Sequence, residues 1–393
     1  GARRRPAGAH VARARDCPSA RIGMGAGACG CAGRGGDDPL YCVLTGSLRA
    51  GATIAPQNVP ALRFLCDSKI PEWLLHAEAE VQEETILTAA GPLPLEWILP
   101  RTGGGEAAAV GKLPPSAPSR APLDGGAPSR IILYMHGGAF VLCTPGSLRG
   151  CTSPIARATG AAVCVPEYRR PPEHSIAAAV EDGLAAYAHL VQAYPDAELW
   201  LGGESAGGGL AASMLAALRG GPTPLPRGAV LMSPWTDLTG DGPDAGLKHT
   251  ALAGVDCPEA GRDYLPPALV SWIAVQARGD LAADRPPVSP MYVEGSLTGL
   301  PPIFVVYGKD EVLCGQIEKF CETWSGQGAS LQPHGVAGGV HAPVLFNFCH
   351  GPSHDALREL SKFVMAQSHR KHIAFEGVGT HDAPTQAGVD AIV

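Results

Sequence analysis

Charge is scarce in this chain. Charged residues fill 17% of its 393 positions, against about 25% in average globular composition, so extensive surface ion networks are not what organises the fold. The formal net charge of −7 is thinly spread and leaves no basic stripe, which removes the footing for nucleic-acid binding. No apolar run reaches the roughly eighteen residues that a membrane-spanning helix needs. Paired C-x-x-C spacing is also missing: the 12 cysteines stand singly from Cys17 to Cys349, apart from Cys29 and Cys31. That excludes the usual zinc and redox patterns and fits free thiols in a reducing, cytoplasmic compartment. The reading calls for no metal and no cofactor.

What the chain does have is apolar material, at 45% of residues, enough for a large core. It is unevenly distributed. Residues 1–58 are expected to be a low-complexity leader without order, its first part rich in Arg, Ala and Gly and lacking apolar periodicity. An arginine-rich, acid-poor leader also suits a transit peptide, although its serine content is low. Met24 is an alternative start. Residues 102–128 read as a flexible loop of Gly, Pro, Ala and Ser, and 371–393 as an irregular tail.

Between these segments strands and helices alternate. Val81 to Thr88 and Leu95 to Leu99 read as a hairpin turning near Gly91-Pro92. Short apolar runs follow at Ile131 to Met135, Ala161 to Val165, Leu199 to Leu201, Ala229 to Met232 and Ile303 to Tyr307. Ser330-Leu331-Gln332 reads as a last strand and Ser353 to about His369 as a last helix. Alternation breaks between 240 and 287, where a helix is expected around Ala268 to Ala277. Such an insertion usually lies over the C-terminal strand ends.

The chemistry gathers around Gly203-Glu204-Ser205-Ala206-Gly207. In a chain with 51 glycines, chance supplies roughly a third of a G-x-S-x-G match, so context has to carry it. Here an apolar strand precedes it and a helix, Leu210 to Leu218, follows. A serine on that turn has its hydroxyl pushed out above the sheet, provided small residues flank it. Ser205 is the candidate nucleophile. Upstream, His136-Gly137-Gly138-Ala139-Phe140 leaves a strand with bare backbone N–H groups that can hold an oxyanion. Downstream, a serine needs a base, and the base needs an acid. In chain order the candidates are Asp310, with Glu311 beside it as the alternative acid, and His341 in a glycine-containing loop. His334, His350 and His354 are rivals for the base. Asp237 and His174 are expected to be structural.

With Tyr168-Arg169, Pro172-Glu173-His174 and Ser233-Pro234-Trp235-Thr236-Asp237 added, residues from about 81 to 366 resemble the hormone-sensitive-lipase-like carboxylesterases among the α/β hydrolases. The resemblance implies an α/β-hydrolase fold, a mostly parallel central sheet flanked by helices with a helical cap. The catalytic domain would span 81–239 and 288–370, and the cap 59–80 and 240–287. It implies cleavage of short to medium acyl esters, with Ser205 acylated, His341 as base and Asp310 orienting it. Gly138, Ala139 and Ala206 would donate N–H groups to the oxyanion, with Gly137 shaping the loop. Relatives that bind hormones and lack the histidine, and relatives that cleave amides, are the alternatives. The sequence departs from the family at Ala139, Glu204, Arg170-Pro171 and Ala342-Pro343. A positive φ at Ala139 would be strained.

Overall fold

The structure, a computed structural model, describes residues 39–55, 57–70, 79–100, 128–240 and 263–368. All but the last residue of the loop expected at 102–128, much of the insertion expected at 240–287 and the tail fall outside these, as do residues 1–38. The leader reading is corrected at its C-terminal end: helix α1 occupies Pro39–Thr53. Its Tyr41 hydroxyl donates to Gly338 O and accepts from Val340 N. An arginine- and glycine-rich context hid a helix whose anchor lies far along the chain.

Eight strands form one sheet among the described residues, in the order β1-β2-β4-β3-β5-β6-β7-β8. Strands β1 (Ala79–Thr88) and β2 (Gly91–Pro100) make the expected antiparallel hairpin, and β2 joins β4 (Ala162–Pro166) antiparallel. From there every pairing is parallel, through β3 (Arg130–Met135), β5 (Glu198–Glu204), β6 (Ala229–Met232), β7 (Ile303–Gly308) and β8 (Leu331–Val336).

The parallel strands read as near-continuous apolar runs because both faces are covered. Along β3, Ile131, Leu133 and Met135 pack into one core with Leu210 and Ile317, while Ile132 and Tyr134 pack into the other with Ile155 and Phe363. The first core is covered by α4 (Ile176–Ala193), α5 (Ala206–Leu218) and α7 (Cys314–Gly326). The second is covered by α3 (Arg149–Thr159) and α8 (Gly351–Ser368). Period-two alternation therefore sorts neighbouring residues between two helical layers. Arg149 of α3 holds Glu96 of β2 through two buried hydrogen bonds, 3.0 and 2.7 Å. That bidentate pair fixes the hairpin to α3.

Two helices stand in the segments expected to form a cap, α2 (Val59–Cys66) and α6 (Pro267–Arg278). Asn58 caps α2 by accepting from Ala61 N at 3.0 Å. Arg63 on α2 donates to Val141 O and Pro171 O, both at 2.7 Å, and to both oxygens of Glu173. Arg170, one of the departures from the family pattern, donates to Cys143 O and to Asp67 just beyond α2. The N-terminal segment is thus latched to the loop that follows β3.

Candidate active site

Strand β5 runs straight into Ser205, and α5 begins at the next residue. Ser205 takes φ 55°, ψ −123°, a backbone that side chains rarely adopt and that persists only where the surroundings impose it. Here Ser205 N donates to Met232 O of the neighbouring strand, and Ser205 O accepts from Gly209 N and Trp235 N. A Cβ on Gly203 would strike Gly207 O, and one on Gly207 would strike Met135 O. The small flanking residues are a steric requirement. Ser205 is partly exposed while Glu204 and Ala206 are buried.

Met135 is in register with Gly203, so the glycine loop leaves β3 beside the elbow. Gly137 N donates to Glu204 Oε1 at 2.5 Å, a contact made by one of the residues that depart from the family pattern. Burial pushes the Glu204 carboxyl up to about 7. Gly138 has φ 110°, and a side chain there would strike Leu142 O. Ala139 and Phe140 follow at φ 52° and 67°. The expected strain at Ala139 is present. Among the described residues no hydrogen bond from the N–H groups of Gly138, Ala139 or Ala206 is found, whereas the Gly137 N–H is occupied. Behind the loop, Tyr168 stacks on His136 at 4.2 Å and donates its hydroxyl to His136 O. Burial holds His136 neutral, its pKa down at about 3.

His341 lies in the loop after β8, where Asp310 N donates to Gly339 O and Lys309 N to Val336 O. A side chain on Gly308 would strike Gly339 O, so glycine lets the two strand ends approach. The carboxylate that meets the imidazole is Glu311, with Oε1 3.3 Å from His341 Nδ1 and both side chains buried. Asp310, the acid expected from the sequence, directly precedes Glu311 in the turn after β7. Glu311 Oε2 accepts from Gly308 N at 2.7 Å and from the Ser233 hydroxyl at 2.5 Å, and those two donors turn the longer side chain toward His341. Ser233 also accepts from Ala342 N, joining both loops through one hydroxyl that sequence reasoning left without a role.

Burial pulls the His341 pKa down, but the Glu311 carboxylate on its ring, with Asp263 and Glu204 nearby, outweighs this and leaves it raised. Its Nε2 is buried and has no hydrogen-bond partner among the described residues. Two of the rival histidines are engaged elsewhere: His334 stacks on Phe304, and His350 stacks on Tyr41 and shares a hydrogen bond with Ser353. Asp237 accepts from Thr239 and Tyr292, which fits the structural role expected of it.

Comparison with known proteins adds a separate line. The family described as alpha/beta hydrolase fold matches residues 132–345, more than half of the chain. The chain belongs to that family. It is similar to an acetyl-hydrolase of Streptomyces hygroscopicus, 42% identical over 185 residues, which are 47% of this chain and 58% of the relative. The chain thus spans less than two thirds of that relative's length. An esterase/lipase structure from an uncultured bacterium is 25% identical, with TM-score 0.65 over 84% of this chain and 98% of that one. An esterase from the bacterial hormone-sensitive lipase family is 26% identical, with TM-score 0.64 over 83% and 97%. The α/β-hydrolase chain is hormone-sensitive-lipase-like in this sense. No helix among its described residues is long and apolar enough to cross a membrane.

Proposed function

We propose that this α/β hydrolase cleaves short to medium acyl esters through an acyl-enzyme on Ser205. The observation that carries the reading is the buried Glu311–His341 pair, tied through the Ser233 hydroxyl to the end of β6, whose Met232 O accepts from Ser205 N. Glu311 holds Nδ1, so the proton stays on that nitrogen and Nε2 is left as the basic one. Neutral His341 takes the serine proton as Ser205 Oγ attacks the ester carbonyl carbon. The tetrahedral oxyanion collects N–H donors from Gly138, Ala139 and Ala206, each worth a few kcal/mol in a preorganised site.

Collapse of the intermediate expels the alcohol, which receives its proton from His341, and leaves the acyl group on Ser205. A water molecule, deprotonated by His341, then attacks the acyl carbon, and the serine departs with the proton returned to it. Glu204 supports the reading by clamping the Gly137 N–H, which keeps the loop open toward the serine. The name of the Streptomyces relative, an acetyl-hydrolase, favours the short end of the acyl range. A fluorophosphonate probe followed by peptide mass spectrometry tests the nucleophile: the adduct is expected on Ser205, and an intact protein after prolonged exposure would count against the reading.

A further inference from the structure

Asp263, in the insertion just ahead of α6, is buried at 1% exposure and touches neither Ser205 nor the glycine loop in any hydrogen bond found. Its two oxygens go to two different loops. Oδ2 accepts from Val312 N at 2.7 Å, and Oδ1 accepts from His341 N at 3.2 Å. Val312 directly follows Glu311. One carboxylate therefore bridges the backbone of the acid's neighbour and the backbone of the base.

We infer that Asp263 is a positioning residue, reaching from the insertion to set the spacing between Glu311 and His341. This rests on the proposed hydrolase reading. Its physical ground is that burying a carboxylate is costly unless hydrogen bonds compensate, and the partners found for this one are the two N–H groups that frame the acid and the base. Burial pushes its own pKa up to about 6, so the negative charge is held under strain beside the imidazole. The charged groups facing His341 are Glu311 from the turn after β7, Asp263 from the insertion and Glu204 from β5, and all three favour the imidazolium. Removing the Asp263 charge lowers the His341 pKa, and removing one acceptor loosens the spacing.

The test compares Asp263→Asn and Asp263→Glu with the wild type, using p-nitrophenyl acetate kinetics and histidine NMR titration. In Asp263→Asn one backbone N–H meets an amide NH2 in place of an acceptor. Expected are a kcat lowered about 10- to 100-fold, the size of effect that a small misplacement brings, a KM within about twofold, and a lower His341 pKa. Asp263→Glu restores the charge, so its His341 pKa returns toward wild type while its kcat stays low because both acceptors are displaced. A purely structural aspartate would lower Tm without moving the His341 titration. Wild-type kcat and an unchanged His341 pKa in Asp263→Asn would overturn the inference. Should that variant not fold, a wild-type kcat in Asp263→Glu would do the same. If the wild type itself turns over no ester, the hydrolase reading fails, and the NMR comparison still decides what Asp263 does to His341.

Discussion

Glu311 Oε1 stands 3.3 Å from His341 Nδ1, while Glu311 Oε2 is held by Ser233 and Gly308. The Glu311 carboxylate is thus aimed from behind by two donors, and its length is used in reaching the ring. Replacing it with glutamine would present an NH2 to Nδ1 and favour the wrong tautomer. Glu311→Gln is expected to lower kcat by roughly a hundred- to ten-thousand-fold, and Asp310→Asn by less than about tenfold. Steady-state kinetics on both variants checks this, and the reverse order would return the acid role to Asp310.

How much of this was legible beforehand varies with the physics involved. The parallel strands were readable because burial on both faces makes them apolar throughout, and Ser205 was readable because the elbow admits only small flanking residues. Ala139 and Ala342 both depart from the family pattern, and both occupy left-handed backbone, φ 52° and 50°. Two adjacent carboxylates after a strand were a different matter. Pattern cannot tell which of Asp310 and Glu311 meets His341, since the Glu311 side chain is aimed by Ser233, a residue 78 positions away. Asp263 escaped for the same reason, its partners being backbone groups brought near only by folding. Helix α3 carries no clear sequence signal; it holds Pro154 in its interior, a residue that ordinarily argues against a helix.

The left-handed alanines give a stability contrast. Left-handed backbone costs an alanine about 1–2 kcal/mol, and glycine gives back about 0.4–1 kcal/mol through its freer unfolded state. Ala139 is half-buried, so Ala139→Gly is expected to raise stability by about 0.5 kcal/mol. Ala342 is buried at 2% exposure, and losing its methyl costs about 0.8 kcal/mol, so Ala342→Gly is expected to be near neutral or slightly destabilising. Urea denaturation of the two variants side by side would reveal whether strain and packing trade off in this way.

Steric limits at the elbow predict a sharper loss. A methyl on Gly207 would run into Met135 O and His136 O, both backbone atoms that cannot step aside cheaply. Gly207→Ala is expected to lower Tm by several degrees and to remove ester turnover, whereas Gly220→Ala, with open space around it but φ 74°, is expected to cost only about 1 kcal/mol. Thermal melts of both, read beside activity, would expose a failure of this account if Gly207→Ala behaved like the wild type.

Activity should depend on pH through His341. The ring must be neutral to accept the serine proton, and its pKa is raised from the ordinary value, so the rate falls as pH drops through a midpoint above about 6.5. Glu204 contributes to that rise and itself titrates near 7. Glu204→Gln removes a negative charge near the imidazole and is expected to move the midpoint down. A kcat profile flat from about pH 5 to 8, or a midpoint moving up in the variant, would contradict this.

The most direct measurement is turnover of p-nitrophenyl acetate and butyrate by the wild type and by Ser205→Ala. The account predicts measurable hydrolysis by the wild type and a loss of roughly a thousandfold or more in the variant, with the fold retained by circular dichroism. Equal rates in the two proteins, or no hydrolysis by either, would contradict it.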